Sequence, residues 1–528
     1  MFITPALRTR AATLAGACAL PALAVAAAIA VAPIGRDARL GAQVPLTEYA
    51  QRRAALAEQL GDGVFVARGA VSPVQDYMSF FQSPGFLYLT GYREADATLV
   101  LKKKGSDARW TLFVQGKNPA QEVWSGRRNG AAAAAEMTGI ATRLSGEFEP
   151  ALDTLLQGES NLRMLADIAE SGDTLNGDDR FVDQLRRRYP QLVIAGANQQ
   201  VARLRATKSE GELEILRKAI AISMDAHREA MLAIEPGMNE FEIQALVEYM
   251  FRRNGADRPA YASIVGSGEN STTLHYNKDD RFVKAGDIVV MDVAATYQGY
   301  AADITRSFPV SGTFTAEQRA VYQVVRDAQG AAERNARPGT PARQMNDSAR
   351  TVIANGLAKL GLIESPTATY DCTDGATPRQ CSQVQLYYMH GLGHGIGLEV
   401  HDPEQFYYTG TIAPGSAFTI EPGIYVRGNL LDILPRTPRN AQLAARIGAT
   451  VKKYADIGVR IEDDYIVTDQ GVEWVSCGLP REVDEIEALM RTPSRGAPPR
   501  DATKVEWYKS DGSRPAPRYQ RPSSCMKM

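Results

Sequence analysis

The sequence predicts a protein of the α+β class. Short strand-like runs lie at residues 64–67, 97–103 and 111–115, and helical segments are mixed among them. A long amphipathic run, typical of a helix, spans residues 212–234. Two β-rich runs then flank a turn-like stretch at residues 297–300, which predicts an antiparallel hairpin.

The predicted helices have recognisable ends. Ser209 and Glu212 form a capping-box pattern at the start of the amphipathic run, and Pro236-Gly237 ends it. Asn239 can cap the next helix, which we expect to end at Gly255. The alanine run at 131–135 fits a helix better than a low-complexity linker.

The overall charge is nearly balanced. The 528 residues include 59 basic and 61 acidic side chains, which gives a formal net charge of −2. No bulk field therefore attracts nucleic acid or an anionic membrane, and we expect no nucleic-acid partner. The length suffices for two or more domains with a sizeable core.

The amino terminus has the layout of a secretory signal peptide. Arg8 and Arg10 precede an uncharged, alanine-rich run at residues 11–35. The cleavage site stays open, since Ala32 and Ala42 both offer small residues. The run is also long enough to span a bilayer, so a membrane anchor is the alternative if the segment is not cleaved. We expect an exported protein, periplasmic or secreted.

Four cysteines remain once a signal is removed: Cys372, Cys381, Cys477 and Cys525. An even number in an exported chain allows disulfides, and Cys372 and Cys381 lie close together in one polar segment. Free thiols are the alternative.

The chain divides into four parts. We predict a signal peptide over 1–42, an amino-terminal domain over 43–200, a larger domain over 201–488, and an irregular tail over 489–528 that is rich in proline, arginine and serine.

Three of the five histidines lie within the segment HGLGHGIGLEVHD, residues 390–402. Its four glycines disfavour a helix, because each costs about 1 kcal/mol relative to alanine. His390 and His394 are therefore not the paired ligands of a zinc-protease helix, despite their spacing. In an extended segment they share a face, and glycine lets other atoms approach the backbone.

The hairpin at residues 287–310 brings two acids together. If Gln298-Gly299 is a two-residue turn, Asp292 lies opposite Thr305. Asp303 is then a diagonal neighbour of Asp292 on the same face, roughly 7–8 Å away at the backbone. Two such carboxylates repel unless a proton or a cation lies between them.

Two further strand-like segments end in acids. Glu421 follows an apolar run and precedes a proline, which favours an extended backbone. Arg460 and Glu462 alternate with apolar residues and share a face. Together with His394, the four acids form a set of oxygen donors and one imidazole. Such a set suits two divalent cations, Mn²⁺ first, with Co²⁺, Zn²⁺ or Fe²⁺ as alternatives.

The set and its flanking residues resemble the pita-bread metallopeptidases, in the branch that contains Xaa-Pro aminopeptidase (aminopeptidase P) and prolidase. The motifs DITRSFP, HGLGH, EPG and GVRIED carry the resemblance, and FLYLTGYREADATLVL and EVWSGRRNG resemble the family's amino-terminal domain. It covers most of residues 46–480. It implies a pita-bread (creatinase/aminopeptidase-like) catalytic domain over 201–488, preceded by a creatinase/prolidase-like α/β domain over 43–200.

The resemblance also implies roles for individual residues. Asp303 and Glu462 would bridge two metals, Asp292 would bind one, and His394 and Glu421 would bind the other. A bridging hydroxide would attack the carbonyl before proline, with Glu421 moving its proton. The remaining assignments are that Arg460 holds Glu462 in place, that Tyr425 matches a family position, and that His275, His390 and His401 contact the substrate. His227 has no counterpart among these roles, and we expect it to be structural.

The resemblance implies an aminopeptidase that removes the residue before proline from peptides with proline in second position, and a homo-oligomer. Xaa-Pro dipeptidase (prolidase) is the alternative, because connections 365–386 and 427–456 are longer than usual and residues 395–397 lack bulk seen in some aminopeptidases. Two further hypotheses are less favoured, because all five metal ligands are present here. A creatinase-like hydrolase dispenses with these ligands, and a non-catalytic binding module has typically lost them.

Overall fold

The computed structural model describes residues 44–75, 78–165, 177–403 and 410–493. The predicted signal or anchor segment, Cys525 and nearly all of the predicted tail lie outside these residues. Within the described part of the chain, no helix has both the length and the apolar character needed to cross a membrane.

A six-stranded mixed sheet forms the centre of the amino-terminal half. Its order is β4-β3-β2-β1-β5-β6, and β1 pairs antiparallel with β2 and parallel with β5. Val64 and Val66 of β1 face one buried cluster, whereas Phe65 and Ala67 face another. Both faces of the sheet are therefore covered, which explains the unbroken apolar run. The strands are β1 Gly63–Arg68, β2 Thr98–Lys104, β3 Asp107–Val114, β4 Ala141–Leu144, β5 Asn161–Leu165 and β6 Val193–Gly196.

Seven described helices accompany this sheet. The predicted alanine helix is present, and a left-handed Gly139 follows its last residue. The helices are α1 Leu46–Gln59, α2 Pro84–Thr90, α3 Pro119–Ser125, α4 Gly130–Thr138, α5 Phe148–Leu156, α6 Gly177–Arg188 and α7 Asn198–Arg205.

The second half contains longer helices. The predicted capping box is confirmed, because Ser209 accepts a hydrogen bond from the Glu212 amide and the Glu212 side chain accepts one from the Ser209 amide. Asn239 caps the next helix in the same way. The helices are α8 Glu210–Ala233, α9 Glu240–Arg253, α10 Ala316–Asn335, α11 Ala342–Leu360, α12 Pro438–Lys453 and α13 Val483–Met490.

Small antiparallel sheets lie beside these helices. Isolated backbone bridges, Thr305 with Glu462 and Gly395 with Phe418, connect segments that are distant in sequence. Helices with antiparallel strands confirm the predicted α+β class. The strands are β7 Arg258–Pro259, β8 Ile264–Ser267, β9 Ile288–Asp292, β10 Ala295–Tyr297, β11 Tyr300–Ala301, β12 Thr305–Pro309, β13 Thr369–Asp371, β14 Gln380–Ser382, β15 Ala417–Ile420, β16 Gly423–Val426, β17 Ile457–Arg460, β18 Asp463–Thr468 and β19 Gly471–Trp474.

The longer connections form their own substructure. Strands β13 and β14 make a hairpin that the Cys372–Cys381 disulfide closes. The buried Asn440 of α12 donates hydrogen bonds to the backbone carbonyls of Asp371, at 2.9 Å, and Pro435, at 2.8 Å. The two connections that depart from the family pattern therefore pack against each other.

One of the buried core clusters, the one that includes Phe65 and Ala67, contains residues from both halves of the chain, such as Leu56 and Leu216. The domain boundary near residue 200 stays a prediction.

Candidate metal centre

The β9–β12 hairpin places two acids at one wall of a cavity. Asp292 pairs with Thr305, as predicted. The turn residues Gln298 and Gly299 both have positive φ, 49° and 89°, which a two-residue turn with the twist of the strands requires. Asp292 and Asp303 both line the cavity, whose volume is about 480 Å³.

Tyr261 lies between these two acids. Its hydroxyl oxygen is 2.5 Å from Oδ1 of Asp292 and 2.5 Å from Oδ1 of Asp303. A hydroxyl has one proton, so it can donate to only one of the carboxylates. Burial, and then the nearby Asp292, raise the pKa of Asp303. The pair therefore retains negative charge that the tyrosine does not balance.

Glu462 completes this side of the cavity from the start of β18. One oxygen accepts a hydrogen bond of 2.7 Å from the Thr305 hydroxyl. The other, Oε1, is buried and has no hydrogen-bond partner among the described residues. Burial, followed by Asp303 and Glu421, raises the pKa of Glu462 well above its usual range. An orphaned buried carboxylate oxygen indicates a missing positive partner.

His394 faces the same point from the glycine-rich segment. Its Nε2 lies 3.3 Å from Asp303 Oδ2 and 3.5 Å from Glu421 Oε1. Donor atoms of Asp303, His394 and Glu462 all lie within 4.8 Å of one another. Although burial alone would lower it, the bond to Asp303 and the charge of Glu421 raise the pKa of His394 to about 9.

The glycines around His394 allow close packing of the protein's own backbone. A Cβ at Gly393 would lie 2.3 Å from the Thr419 carbonyl oxygen, and one at Gly395 would lie 2.7 Å from the Asp402 carbonyl oxygen. The segment is extended and irregular, not helical, as expected. What sits against its backbone is β15 and the end of the segment itself, at Asp402.

Glu421 enters the cavity from the end of β15. Its backbone amide is fixed by a bond to the Leu392 carbonyl. Burial raises the pKa of Glu421 to about 7, with His394 and Arg460 opposing the rise.

Arg460, to which the resemblance assigns the role of holding Glu462 in place, forms its ion pair with a different acid. Arg460 Nη2 instead donates to Asp292 Oδ2 at 2.7 Å. Arg460 Nε donates to the Thr305 hydroxyl, which in turn donates to Glu462. The link between Arg460 and Glu462 therefore passes through Thr305, because the long guanidinium side chain extends past Glu462 to the neighbouring strand.

A hydrogen-bonded chain connects Arg460 to His390. Arg460 Nη1 donates to the Tyr425 hydroxyl at 2.7 Å, and this hydroxyl lies 2.8 Å from His390 Nε2. His390 Nδ1 faces the Gly391 carbonyl at 2.8 Å, so it carries the proton and Nε2 accepts from Tyr425. Burial, and then Arg460, lower the pKa of His390 to about 3, which keeps the ring neutral.

His275 and His401 lie at the open side of the cavity. Both are exposed, and the His401 ring centroid lies 4.0 Å from that of His394. The backbone before His275 is held by Arg460, whose Nη2 donates to the Leu274 carbonyl at 3.1 Å. The structure thus brings all nine predicted site residues to one cavity.

The longer connections do not reach this site. None of the described residues that line the cavity belongs to 365–386 or 427–456. The β13–β14 hairpin and α12 instead pack on each other, and Arg446 of α12 pairs with Glu364, which follows α11.

Sequence reasoning missed Tyr261 and the relay through Thr305. Thr305 lies within the DITRSFP motif but was given no role, and Tyr261 belongs to none of the motifs. A register argument could have found Thr305, because it lies directly opposite Asp292. No sequence signal indicates Tyr261.

The donor set fits divalent cations. It offers carboxylate oxygens and one imidazole nitrogen and includes an unpartnered buried oxygen, and the described lining residues include one arginine and no lysine. Fold and site together define a metal-dependent hydrolase.

The comparisons with known proteins define the family. Residues 214–469 match metallopeptidase family M24, and residues 49–164 match the aminopeptidase P N-terminal domain. The chain is 32% identical over 462 residues to the Xaa-Pro aminopeptidase of Escherichia coli (strain K12), covering 85% of this chain and 98% of that protein. It is 36% identical over 313 residues to the human Xaa-Pro dipeptidase, covering 55% of this chain and 61% of that protein.

Solved structures agree. The aminopeptidase of Pseudomonas aeruginosa has a TM-score of 0.70 at 32% identity, covering 85% of this chain and 98% of that chain. Zinc-substituted Escherichia coli aminopeptidase P in complex with product has a TM-score of 0.70 at 31% identity and the same coverage. The chain belongs to metallopeptidase family M24, in its Xaa-Pro aminopeptidase and prolidase branch. The resemblance, the pita-bread fold and the assignment as a hydrolase of this type are confirmed.

Proposed function

We propose that this protein is an exported, dinuclear metallo-aminopeptidase that hydrolyses the amino-terminal Xaa-Pro bond of peptides. The observation that carries the proposal is the convergence of four carboxylates and His394 on one cavity. Arg460 already pairs with Asp292, so among the described residues His394 is the one cationic partner left for the other cavity acids. Four carboxylates supply the charge that two divalent cations neutralise.

Asp292, Asp303, His394, Glu421 and Glu462 would hold the cations. The oxygen-rich set with one imidazole favours Mn²⁺, with Co²⁺, Zn²⁺ and Fe²⁺ as alternatives. When bound, two such cations polarise the peptide carbonyl and make water a nucleophile at neutral pH.

The side chains then divide the remaining work. Glu421 accepts the proton of the attacking water and returns it to the proline nitrogen as that bond breaks. His401 and His275, at the cavity mouth, stabilise charge on the carbonyl oxygen and hold the peptide. Arg460 and Tyr425 fix Asp292 and His390, so the acids keep their orientation during turnover.

The absence of a second cation in the described cavity wall favours an aminopeptidase over a dipeptidase. A strict dipeptidase binds the free carboxylate of proline, which requires a positive group. Among the described lining residues Arg460 is the single arginine or lysine, and its side chain already donates to Asp292, Tyr425, Thr305 and Leu274.

Export is supported by the basic and apolar amino-terminal layout and by the Cys372–Cys381 disulfide, since disulfides persist in oxidising compartments.

A homo-oligomer is supported by Val123 and Trp124, whose exposed fractions are 79% and 77%. Analytical ultracentrifugation of the mature chain measures the assembly.

Peptide length tests the choice of branch. We expect kcat/KM for Xaa-Pro-Yaa-Zaa to exceed that for Xaa-Pro, with the same Xaa and saturating Mn²⁺. Cleavage of the dipeptide alone would overturn the aminopeptidase and leave the prolidase. If a chain that binds Mn²⁺ hydrolyses neither peptide, both the aminopeptidase and the prolidase assignments are overturned.

A further inference from the structure

The fifth histidine, His227, lies behind the metal site. It is fully buried on α8, and its Nε2 is 2.9 Å from the Val293 carbonyl oxygen and 3.0 Å from the Ile304 carbonyl oxygen. Val293 directly follows Asp292, and Ile304 directly follows Asp303. One ring nitrogen therefore connects the two backbone segments that carry the paired acids.

The contacts determine the protonation of His227. Two carbonyl oxygens face Nε2, so this nitrogen carries the proton and donates it to both. Nδ1 is buried and has no hydrogen-bond partner among the described residues, as expected for the bare nitrogen of a neutral ring. The ring is therefore a fixed, uncharged donor.

The hairpin needs such a donor at this point. Residues 293–294 and 302–304 belong to neither pair of strands, and the ladder there is held by two bonds of 3.2 Å, from Val293 N to Ile304 O and from Ala302 N to Ala295 O. Asp292 directly precedes this irregular stretch, and Asp303 lies within it. Their separation is thus set less firmly by the ladder than in a regular sheet.

Helix α8 supplies a second contact to the same stretch. Ser223 lies one turn before His227, accepts a hydrogen bond of 2.9 Å from the Ala295 amide, and donates one of 2.8 Å to the Ala219 carbonyl. Residues four apart share a helix face, so Ser223 and His227 together present polar groups to the hairpin.

We propose that His227 is a positioning residue of the metal centre, which sets the separation of Asp292 and Asp303 through the carbonyls of Val293 and Ile304. The inference rests on the proposed function of these acids. It assigns His227 a part in metal binding although the residue does not line the cavity. Groups that orient ligands from behind commonly change metal affinity when they are removed.

Mn²⁺ affinity of the full chain tests this role, measured by calorimetry after removal of bound metal with a chelator. His227→Phe keeps a ring but loses the donor, and we expect it to weaken Mn²⁺ binding about 10- to 100-fold. His227→Gln keeps an N–H donor near the position of Nε2 and should recover most of the affinity.

Asn440→Leu is the matched control. Asn440 is equally buried and its Nδ2 also donates to two backbone carbonyls, those of Asp371 and Pro435, but it lies outside the cavity. We expect this variant to lose thermal stability without a change in Mn²⁺ affinity. A loss of affinity equal to that of His227→Phe would mean that general destabilisation explains both.

The outcomes separate this inference from the proposed function. Unchanged Mn²⁺ affinity in a folded His227→Phe protein overturns the positioning role. If that variant does not fold, His227→Asn takes its place, because its shorter side chain keeps an amide but withdraws it from both carbonyls. Weaker Mn²⁺ binding than in His227→Gln supports the role, and affinity equal to that of the unaltered chain overturns it. Failure of the unaltered chain to bind Mn²⁺ overturns the metal centre itself, and the role of His227 with it.

Discussion

Glu462 and Asp463 are consecutive acids with opposite surroundings. Both are almost completely buried, at 1% and 0% exposure, and their side chains point to opposite sides of the chain. Asp463 accepts four hydrogen bonds, two of them from arginines; the donors are Arg306, Ser476, Gln329 and Arg481. Glu462 accepts one, from Thr305, and faces three other acids.

The pKa values of the two acids move in opposite directions. Burial raises the pKa of both, but for Asp463 the charges of Arg306 and Arg481 outweigh it and the pKa is lowered. For Glu462 the neighbouring acids add to burial, and the pKa is raised. The fold thus has the means to neutralise a buried carboxylate and does not use it at Glu462. We infer that divalent cations supply the positive charge that Glu462 and the neighbouring acids require.

Removing a cavity acid should have the largest effect on activity. We expect Glu462→Gln and Asp303→Asn each to lower kcat/KM by roughly 10³-fold or more, because each removes a charge that both cations would share. The metal-free variants should fold as stably as the unaltered chain. Near-normal turnover in either variant, with unchanged metal content, contradicts the dinuclear site.

The same change one residue later should act on stability instead. Asp463→Asn leaves two buried arginines facing a neutral amide, and we expect the free energy of unfolding to fall by about 3–5 kcal/mol. Urea unfolding of chelator-treated protein measures it, with Glu462→Gln as the matched control. Equal losses in the two variants would remove the distinction between the clusters.

The histidines at the cavity should separate turnover from metal binding. His401→Ala should keep both cations and lose turnover by roughly 10²–10³-fold, as for removal of one contact to the developing oxyanion. His390→Ala should also keep both cations and lose turnover, because it removes the acceptor that orients the Tyr425 hydroxyl. Steady-state kinetics and metal analysis of the same samples check this. Stoichiometric loss of metal from either variant would mean that the histidine is a ligand.

The smallest effect concerns pH. The raised pKa values of Glu421, about 7, and His394, about 9, favour their protonated forms in the folded protein. The contribution of Glu421 to the free energy of unfolding is complete below about pH 4.5 and is lost as pH rises through about 7. The contribution of His394 is complete below about pH 6.5 and is lost as pH rises through about 9. The pKa values of His227 and His390 are lowered from 6.5, so above this pH both rings are neutral in the folded and the unfolded chain. They therefore add no pH dependence to the stability in that range.

Chelator-treated protein should therefore lose stability between pH 6.5 and 9, by on the order of 1 kcal/mol per pH unit. Mn²⁺ should oppose the loss, since cations bind the deprotonated ligands. Thermal unfolding with and without Mn²⁺ measures both. A Tm that rises with pH in chelator would contradict the assignment of uncompensated acids.

Local patterns predicted much of this molecule. The capping box at Ser209 and the hairpin register that pairs Asp292 with Thr305 depend on neighbouring residues, so the sequence carries them directly. The family motifs indicated the nine residues that the structure brings to one cavity.

Contacts between distant segments were not predictable in this way. Arg460 shares a face with Glu462 by alternation, yet it pairs with Asp292, because side-chain reach across strands decides the partner. Tyr261 and His227 act through groups that are close only after folding. For the same reason, sequence could not show that the longer connections pack on each other, away from the cavity.

The number of cations bound per chain decides whether the metal centre is dinuclear. Chelator-treated full-length protein would be titrated with Mn²⁺ while peptidase activity is followed in the same samples. We expect two Mn²⁺ ions per chain at full activity, and fewer in Glu462→Gln. Full activity with one ion or none per chain would contradict the dinuclear centre.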